Sequence, residues 1–295
     1  MAAEPLIDRQ FLEKLERLTI RWRKSFPGLI GGHNQSRFAG PGQEFLDHRH
    51  FHHGDDLRAV NWRAYLRLDK LFLKMFQVEP RVPVRLLLDV SKSMGTGIEQ
   101  SKFDYARRLT AAMAYIGLVR LDSIIIHPFA GTLGDSHSCS GGRHRFGPAA
   151  DYLSKLEVAG NSDFFQVSRQ FANKYVNRGL LVIISDFLTD SDIERPMQYL
   201  AEFGHELFLV HMWADEDRTP PWDGELDLTD SESGANLQID FDDEARARYT
   251  AAFDEFAQQL QRTAFRHGGR YAGVATSSSL EDAIFGTISR AQGVA

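Results

Sequence analysis

From residue 84 onward, apolar segments of two kinds alternate along the chain. Short continuous apolar runs, which are typical of buried strands, are VRLLLD (84–89), SIIIHPFA (123–130), LLVIISD (180–186), HELFLVHMW (205–213) and RYAGVAT (270–276). Between them, apolar residues recur at helical spacing, most clearly in 102–119 and 243–267. This alternation predicts an α/β fold with a Rossmann-like, open, mainly parallel sheet and helices on both faces.

The first part of the chain carries a net positive charge, whereas the remainder carries a net negative charge. Residues 1–83 carry 14 Lys and Arg against 10 Asp and Glu, whereas residues 84–295 carry 20 against 30. We interpret the basic part as a surface that complements either the acidic part or an acidic partner. We expect two parts: an N-terminal helix with a β-rich segment in residues 1–82, and an α/β domain in residues 83–295.

Composition narrows the class of protein. The chain has 43% hydrophobic and 25% charged residues, as ordinary globular domains do. No apolar run approaches the roughly 20 residues that span a bilayer, and the N-terminus lacks the pattern of a signal peptide. The single cysteine, Cys139, is consistent with a reducing compartment. No concentrated basic stripe is present. We therefore expect a cytoplasmic protein with no membrane span and no nucleic-acid partner.

Polar side chains stand where the predicted strands end. Asp89 closes the first strand, with Ser91 and Ser93 at alternate positions after it, and Asp186 closes LLVIISD in the same way. Ser162 lies in a loop before another predicted helix. Ligands of open α/β sheets bind outside the carboxyl ends of the strands. Two carboxylates and three hydroxyls make an all-oxygen site, which suits Mg²⁺.

These residues resemble a known family. Residues 89–93 match the D-x-S-x-S element of the metal-ion-dependent adhesion site of von Willebrand factor A domains, and Asp186 matches its later aspartate. Ser162 stands where that site usually has threonine. The upstream segment 40–79 resembles the signature of the domain-of-unknown-function 58 (DUF58) family. The matching positions are Gly40, Gly42, Glu44, Phe45, Gly54, Asp55, Asp56, Arg58, Asn61, Trp62, Phe76 and Glu79.

The resemblance implies a non-enzymatic adaptor. Its site would bind Mg²⁺, with Mn²⁺ or Ca²⁺ as alternatives, through Asp89, Ser91, Ser93, Ser162 and Asp186. A protein partner would complete the coordination with an Asp or Glu. The family resemblance also implies a MoxR-type AAA+ ATPase as a partner in the assembly or maturation of protein complexes. The chain itself contains no Walker A phosphate loop.

Two alternatives stay open at this point. In the first, the domain binds no metal and is purely structural, because Ser91 and Ser93 cap the next helix and Asp186 serves a turn. In the second, Ser91, Asp186 and His211 form a hydrolase triad, since they occur in the chain order of α/β-hydrolases. The glycines of a nucleophile elbow are absent, however, because Asp89 and Ser93 fill their positions.

Overall fold

The computed structural model describes residues 5–21, 44–52, 60–77, 83–189, 191–229 and 234–294, without the side chains of 44–49 and 74–77. The chain divides into two compact units, one of residues 25–81 and one of residues 1–24 with 82–295. Helix α1 (Arg9–Leu15) belongs to the larger unit, where it buries Phe11 and Leu15.

The smaller unit contains a two-stranded antiparallel sheet. Strand β1 (Glu44–His50) pairs with β2 (Phe72–Gln77), and helix α2 (Trp62–Leu68) precedes β2. The signature residue Asn61 is the N-cap of α2, because its side chain accepts a hydrogen bond from the Ala64 amide at 3.3 Å. Several signature residues lie outside the described residues, namely Gly40, Gly42, Gly54, Asp55, Asp56, Arg58 and Glu79. For Glu44, Phe45 and Phe76, the backbone is described and the side chain is not.

The larger unit is built on a six-stranded sheet. Its strands and those of a separate hairpin are β3 (Pro83–Asp89), β4 (Ser123–Phe129), β5 (His137–Cys139), β6 (Leu180–Ser185), β7 (Glu206–Trp213), β8 (Gly224–Thr229), β9 (Asn236–Phe241) and β10 (Arg270–Ala275). The sheet order is β10-β7-β6-β3-β4-β5, while β8 and β9 pair with each other. All neighbours in the sheet are parallel except β5, which runs antiparallel to β4.

Helices cover both faces of this sheet. They are α3 (Lys102–Val119), α4 (Phe146–Ser154), α5 (Phe164–Lys174), α6 (Glu194–Glu202), α7 (Asp215–Arg218) and α8 (Asp243–Arg266), followed by a π-helical segment, Asp282–Ile288. Helices α1, α3 and α4 pack together on one side. Residues of α5, α6 and α8 share a buried core with Leu87, Ile183 and Leu209 on the other side. The predicted α/β class with a mainly parallel sheet is confirmed.

The strand order reverses in the middle of the sheet. The chain passes from β3 to β4 on one side, and later returns to place β6 on the other side of β3. Ligand sites of open α/β sheets form at such a reversal, outside the carboxyl ends of the strands. The last residues of β3 and β6 are Asp89 and Ser185, so the structure puts the predicted polar cluster at this position.

Candidate functional site

Asp89 lies at the centre of the site and is fully buried. Its Oδ1 accepts a hydrogen bond from the Ser91 amide at 2.8 Å. Its Oδ2 accepts from Ser185 Oγ at 2.5 Å and from Ser162 Oγ at 3.2 Å. Burial, and then the negative charge of Asp186, raise the pKa of Asp89 to about 7. Among the described residues, the carboxylate accepts hydrogen bonds from neutral donors and forms no ion pair.

Ser91 and Ser93 lie beside this carboxylate. Both are buried, and their Oγ atoms are 3.0 Å apart. Neither caps the following α-helix, because the N-cap of α3 is Ser101, whose Oγ accepts from the Asp104 amide at 3.0 Å. The Ser91 side chain also makes no capping bond to the short 3₁₀-helix Lys92–Gly95. The capping interpretation of these two serines therefore finds no support in the hydrogen bonds.

Both aspartates accept a backbone hydrogen bond in the turn that follows their strand. Asp186 Oδ1 accepts from the Leu188 amide at 3.1 Å, just as Asp89 Oδ1 accepts from the amide two residues later. Each aspartate thus closes a turn at the end of its strand. The hydrogen bond from the Leu188 amide occupies Oδ1 of Asp186 and orients its carboxylate.

Ser162 reaches the site from a distant part of the sequence. Its loop is attached to the end of β3 by two backbone hydrogen bonds, from the Ala159 amide to Val90 O at 2.7 Å and from the Lys92 amide to Gly160 O at 3.0 Å. The half-buried Ser162 side chain then donates to Asp89. The structure thus brings Ser162 into direct contact with Asp89.

Asp186 is paired with a buried lysine that the sequence analysis did not identify. Lys102 Nζ lies 2.9 Å from Asp186 Oδ2 and 3.0 Å from Asp217 Oδ2, and both Lys102 and Asp186 are almost fully buried. Burial by itself would lower the pKa of Lys102. The two carboxylates outweigh burial and raise the pKa above its usual value. The lysine therefore stays charged inside the protein.

Three site residues were missed: Ser185, Lys102 and Asp217. Ser185 belongs to the apolar run LLVIISD and directly precedes Asp186, which was identified. Lys102 opens a helix and Asp217 lies in the acidic segment DEDR, where charged residues are ordinarily solvated. Ser185 could have been found from the sequence, because it ends its strand as Asp89 ends β3, and the two strands are neighbours in the sheet. The contacts of the other two depend on the tertiary structure.

The residues present fit a hard cation in their chemistry. They offer carboxylate and hydroxyl oxygens, which are the ligands preferred by Mg²⁺ and Ca²⁺. A cation would also relieve the unfavourable burial of the Asp89 charge. Within the part of the chain that the structure describes, no three His, Cys, Asp or Glu residues cluster as a metal site. An ion here would depend on serine hydroxyls and water.

His211 does not join the other members of the suggested hydrolase triad. Its Nδ1 lies 2.9 Å from Tyr271 Oη, and its ring packs among Phe187, Trp213 and Phe253. Burial first, and the charge of Lys102 second, lower the pKa of His211 to about 3. Among the described residues, no hydrogen bond links His211 to Ser91 or Asp186. These contacts are those of a structural histidine.

A cavity of about 640 Å³ opens next to the candidate site. Its walls contain Ser93 and Lys102 from the site and residues of the β8–β9 hairpin. Leu228 and Leu237 are exposed on the hairpin, and Leu188 is exposed on the loop after β6. The polar cluster therefore lies beside an apolar rim.

The fold and the site define an α/β protein with an oxygen-rich polar cluster at the reversal point of a mainly parallel sheet. The chain belongs to the DUF58 family, because the family model "Protein of unknown function DUF58" matches residues 47–259. The family membership expected from the sequence is confirmed. Among its relatives, the uncharacterized protein Rv1480 of Mycobacterium tuberculosis is 24% identical over 260 residues, covering 87% of this chain and 82% of the relative.

Solved structures show more distant similarity. The conserved hypothetical protein BatB from Bacteroides thetaiotaomicron is 18% identical with a TM-score of 0.44, covering 71% of this chain and 98% of that chain. The SpRpn10 VWA domain is 14% identical with a TM-score of 0.40, covering 69% of this chain and 93% of that chain. In the described ranges, no helix is long and apolar enough to cross a bilayer.

Proposed function

We propose that this protein is a non-enzymatic interaction module that binds a divalent cation and recognises protein partners through it. The observation that carries this proposal is the buried Asp89 carboxylate, which receives hydrogen bonds from hydroxyls of two other chain segments but makes no ion pair with a described residue. Buried carboxylates without a counter-charge are unfavourable unless a bound cation compensates them. A metal ion provides that compensation.

Each predicted ligand has a role in this proposal. Asp89 holds the cation, and the hydroxyls of Ser91, Ser93 and Ser162 add neutral oxygen ligands. Asp186 acts from a greater distance through water. Mg²⁺ fits best, because it retains several waters and needs few protein carboxylates, with Mn²⁺ or Ca²⁺ as alternatives. When bound, the cation supplies an open position for one further negatively charged oxygen.

The partner that fits this open position carries an exposed Asp or Glu. Its carboxylate forms a charge-assisted contact with the cation, and water is displaced in the process. The DUF58 resemblance adds a MoxR-type AAA+ ATPase as a member of the same assembly, and this part of the proposal rests on family analogy alone. The site works by binding, and we assign no catalytic residue.

The test is metal-dependent stability and affinity of the full chain. Mg²⁺, Mn²⁺ and Ca²⁺ are titrated by calorimetry and thermal shift into the wild-type protein, Asp89→Asn and the control Asp254→Asn. Asp254 is half exposed, pairs with Arg218 on the surface and is not one of the proposed ligands. A cation at 100 times its Kd adds about 2.7 kcal/mol to the free energy of unfolding.

We expect a saturable response in the wild type and in Asp254→Asn, and none in Asp89→Asn. A flat response of the wild type to all three cations at millimolar concentration contradicts the proposal and favours the metal-free structural alternative. An equal response in Asp89→Asn shows that the cation binds elsewhere.

A further inference from the structure

Lys102 occupies a position that its own helix does not favour. It is the first residue of α3, where the partial positive charge of the helix N-terminus repels a cation. Its side chain is nevertheless almost fully buried. The favourable contacts come from outside the helix, since Nζ lies 2.9 Å from Asp186 Oδ2 and 3.0 Å from Asp217 Oδ2. Two carboxylates from other segments hold this lysine in place.

The two aspartates of the candidate site therefore differ in their charge environment. Asp186 has both oxygens engaged, Oδ1 by the Leu188 amide and Oδ2 by the Lys102 ammonium. Within the described ranges, Asp89 has only amide and hydroxyl donors, from Ser91, Ser162 and Ser185. One carboxylate of the pair is already neutralised within the protein, whereas the other is not.

We propose that Lys102 is a resident counter-ion that holds Asp186 out of direct metal coordination and leaves Asp89 as the single carboxylate ligand. This inference rests on the proposed function, and it names the residue that sets the charge of the site. Ca²⁺ takes more oxygen ligands than Mg²⁺, and its affinity follows the number of carboxylates offered. Lys102 thus favours Mg²⁺ over Ca²⁺ and keeps the bound ion electron-poor towards a partner's carboxylate.

Removal of the lysine charge shifts this preference towards Ca²⁺. In Lys102→Met, the carboxylates of Asp186 and Asp217 lose their buried cation, and Asp186 becomes available as a second ligand. The metal-free variant is destabilised, because the buried charge of Asp186 and the partly buried charge of Asp217 lose their cation. Added Ca²⁺ then compensates the freed charge, so the melting temperature rises more on Ca²⁺ addition than it does in the wild type.

The experiment measures Kd values for Mg²⁺ and Ca²⁺ by calorimetry, and melting temperatures with each ion, for the wild type and three variants. Lys102→Met removes the charge and Lys102→Arg keeps it. Arg270→Met is the matched control, because Arg270 is a buried cation 2.9 Å from the buried Glu206 at the opposite end of the strands. We expect the ratio of Ca²⁺ to Mg²⁺ affinity to rise about tenfold in Lys102→Met only.

Two outcomes overturn the inference. If Lys102→Met binds Ca²⁺ no more tightly than the wild type, or if Arg270→Met shows the same change in ratio, Lys102 does not control the ligand set. Absence of metal binding in the wild type refutes the proposed function instead, so the two failures are distinguishable.

A further pair of variants covers the case in which Lys102→Met does not fold. Asp186→Asn is expected to weaken Mg²⁺ binding by about ten- to a hundredfold, as for a residue outside the direct ligands, whereas Asp89→Asn abolishes it. Equal loss in both variants shows that Asp186 binds the ion directly and contradicts the assignment.

Discussion

Ser185 donates a hydrogen bond to Asp89 and so joins the last residue of β6 to the last residue of β3. The same Ser185 Oγ accepts from the Phe187 amide at 2.8 Å. Its hydroxyl hydrogen is therefore directed at the carboxylate. This arrangement orients Asp89 across the reversal point of the sheet.

Ser185→Ala tests this relationship. Loss of a hydrogen bond to a buried carboxylate lowers the free energy of unfolding by about 2 kcal/mol. It also reduces cation affinity about ten- to a hundredfold, as is usual when a partner that orients a ligand is removed. Urea unfolding and calorimetric titration with Mg²⁺ measure the two effects.

Ser168→Ala is the matched control. Ser168 is equally buried, and its Oγ donates to Phe165 O at 2.9 Å within α5, with no contact to the site. We expect this variant to be destabilised without a change in cation affinity. If Ser185→Ala binds Mg²⁺ as the wild type does, Ser185 supports only the fold.

The loop between Ser93 and α3 depends on a glycine. Gly97 has φ of 142°, and a Cβ at this position would meet the carbonyl oxygen of Gln100. Gly97→Ala therefore forces the loop to shift, and we expect a loss of about 1–3 kcal/mol in the free energy of unfolding. Because the loop follows Ser93 directly, cation affinity should fall as well. Urea unfolding and Mg²⁺ titration are the measurements.

Gly147→Ala provides the comparison for this substitution. Gly147 lies in α4, and nothing comes within 4 Å of an added Cβ. Alanine is the better helix former, so this variant should be as stable as the wild type or more so. Equal stability of Gly97→Ala and the wild type would mean that the loop accommodates the side chain, which contradicts the geometry.

Much of the fold was predictable because buried strands are encoded by continuous apolar segments. Strands β3, β6 and β7 are buried on both faces and appear as continuous apolar runs. Strand β5 was not among the predicted strands, because it has only three residues, His137–Cys139, and contributes a single buried side chain. Edge strands of this length have no distinct periodicity.

The candidate site was predictable only where its residues follow a strand or a motif. Asp89 and Ser91 lie within one short motif, and the two strand ends with their aspartates are neighbours in the sheet. Lys102 was not predictable, because its environment is set by Asp186 and Asp217, which lie far away in sequence. Helix propensity and hydrophobic spacing do not record such long-range charge pairing.

A buried histidine outside the site, His127, is expected to contribute to the pH dependence of the free energy of unfolding. His127 is fully buried in β4, with Nε2 at 2.7 Å from Tyr175 Oη. Burial is the main cause that lowers its pKa to about 4, with smaller contributions from the charges of Lys174 and Arg85. In the unfolded chain, a histidine has a pKa of about 6.5.

The direction of this pH effect on stability follows from the difference in bound protons between the unfolded and the folded protein. As the pH falls from about 6.5 towards 4, the unfolded chain takes up a proton at His127 before the folded protein does, so stability is lost in this window. Between pH 7 and pH 5 the loss attributable to this histidine is about 2 kcal/mol. His127→Gln removes the titrating group and keeps a polar side chain.

The measurement is urea unfolding of the wild type and His127→Gln at pH 7 and pH 5. His211 and Asp89 also have shifted pKa values, the first lowered and the second raised, and both are present in each protein. Their contributions therefore cancel in the comparison. We expect the variant to be less stable at pH 7, because a buried hydrogen bond is altered, yet to lose about 2 kcal/mol less than the wild type on acidification. If both proteins lose the same amount, His127 has an ordinary pKa in the folded state and its burial is relieved on protonation.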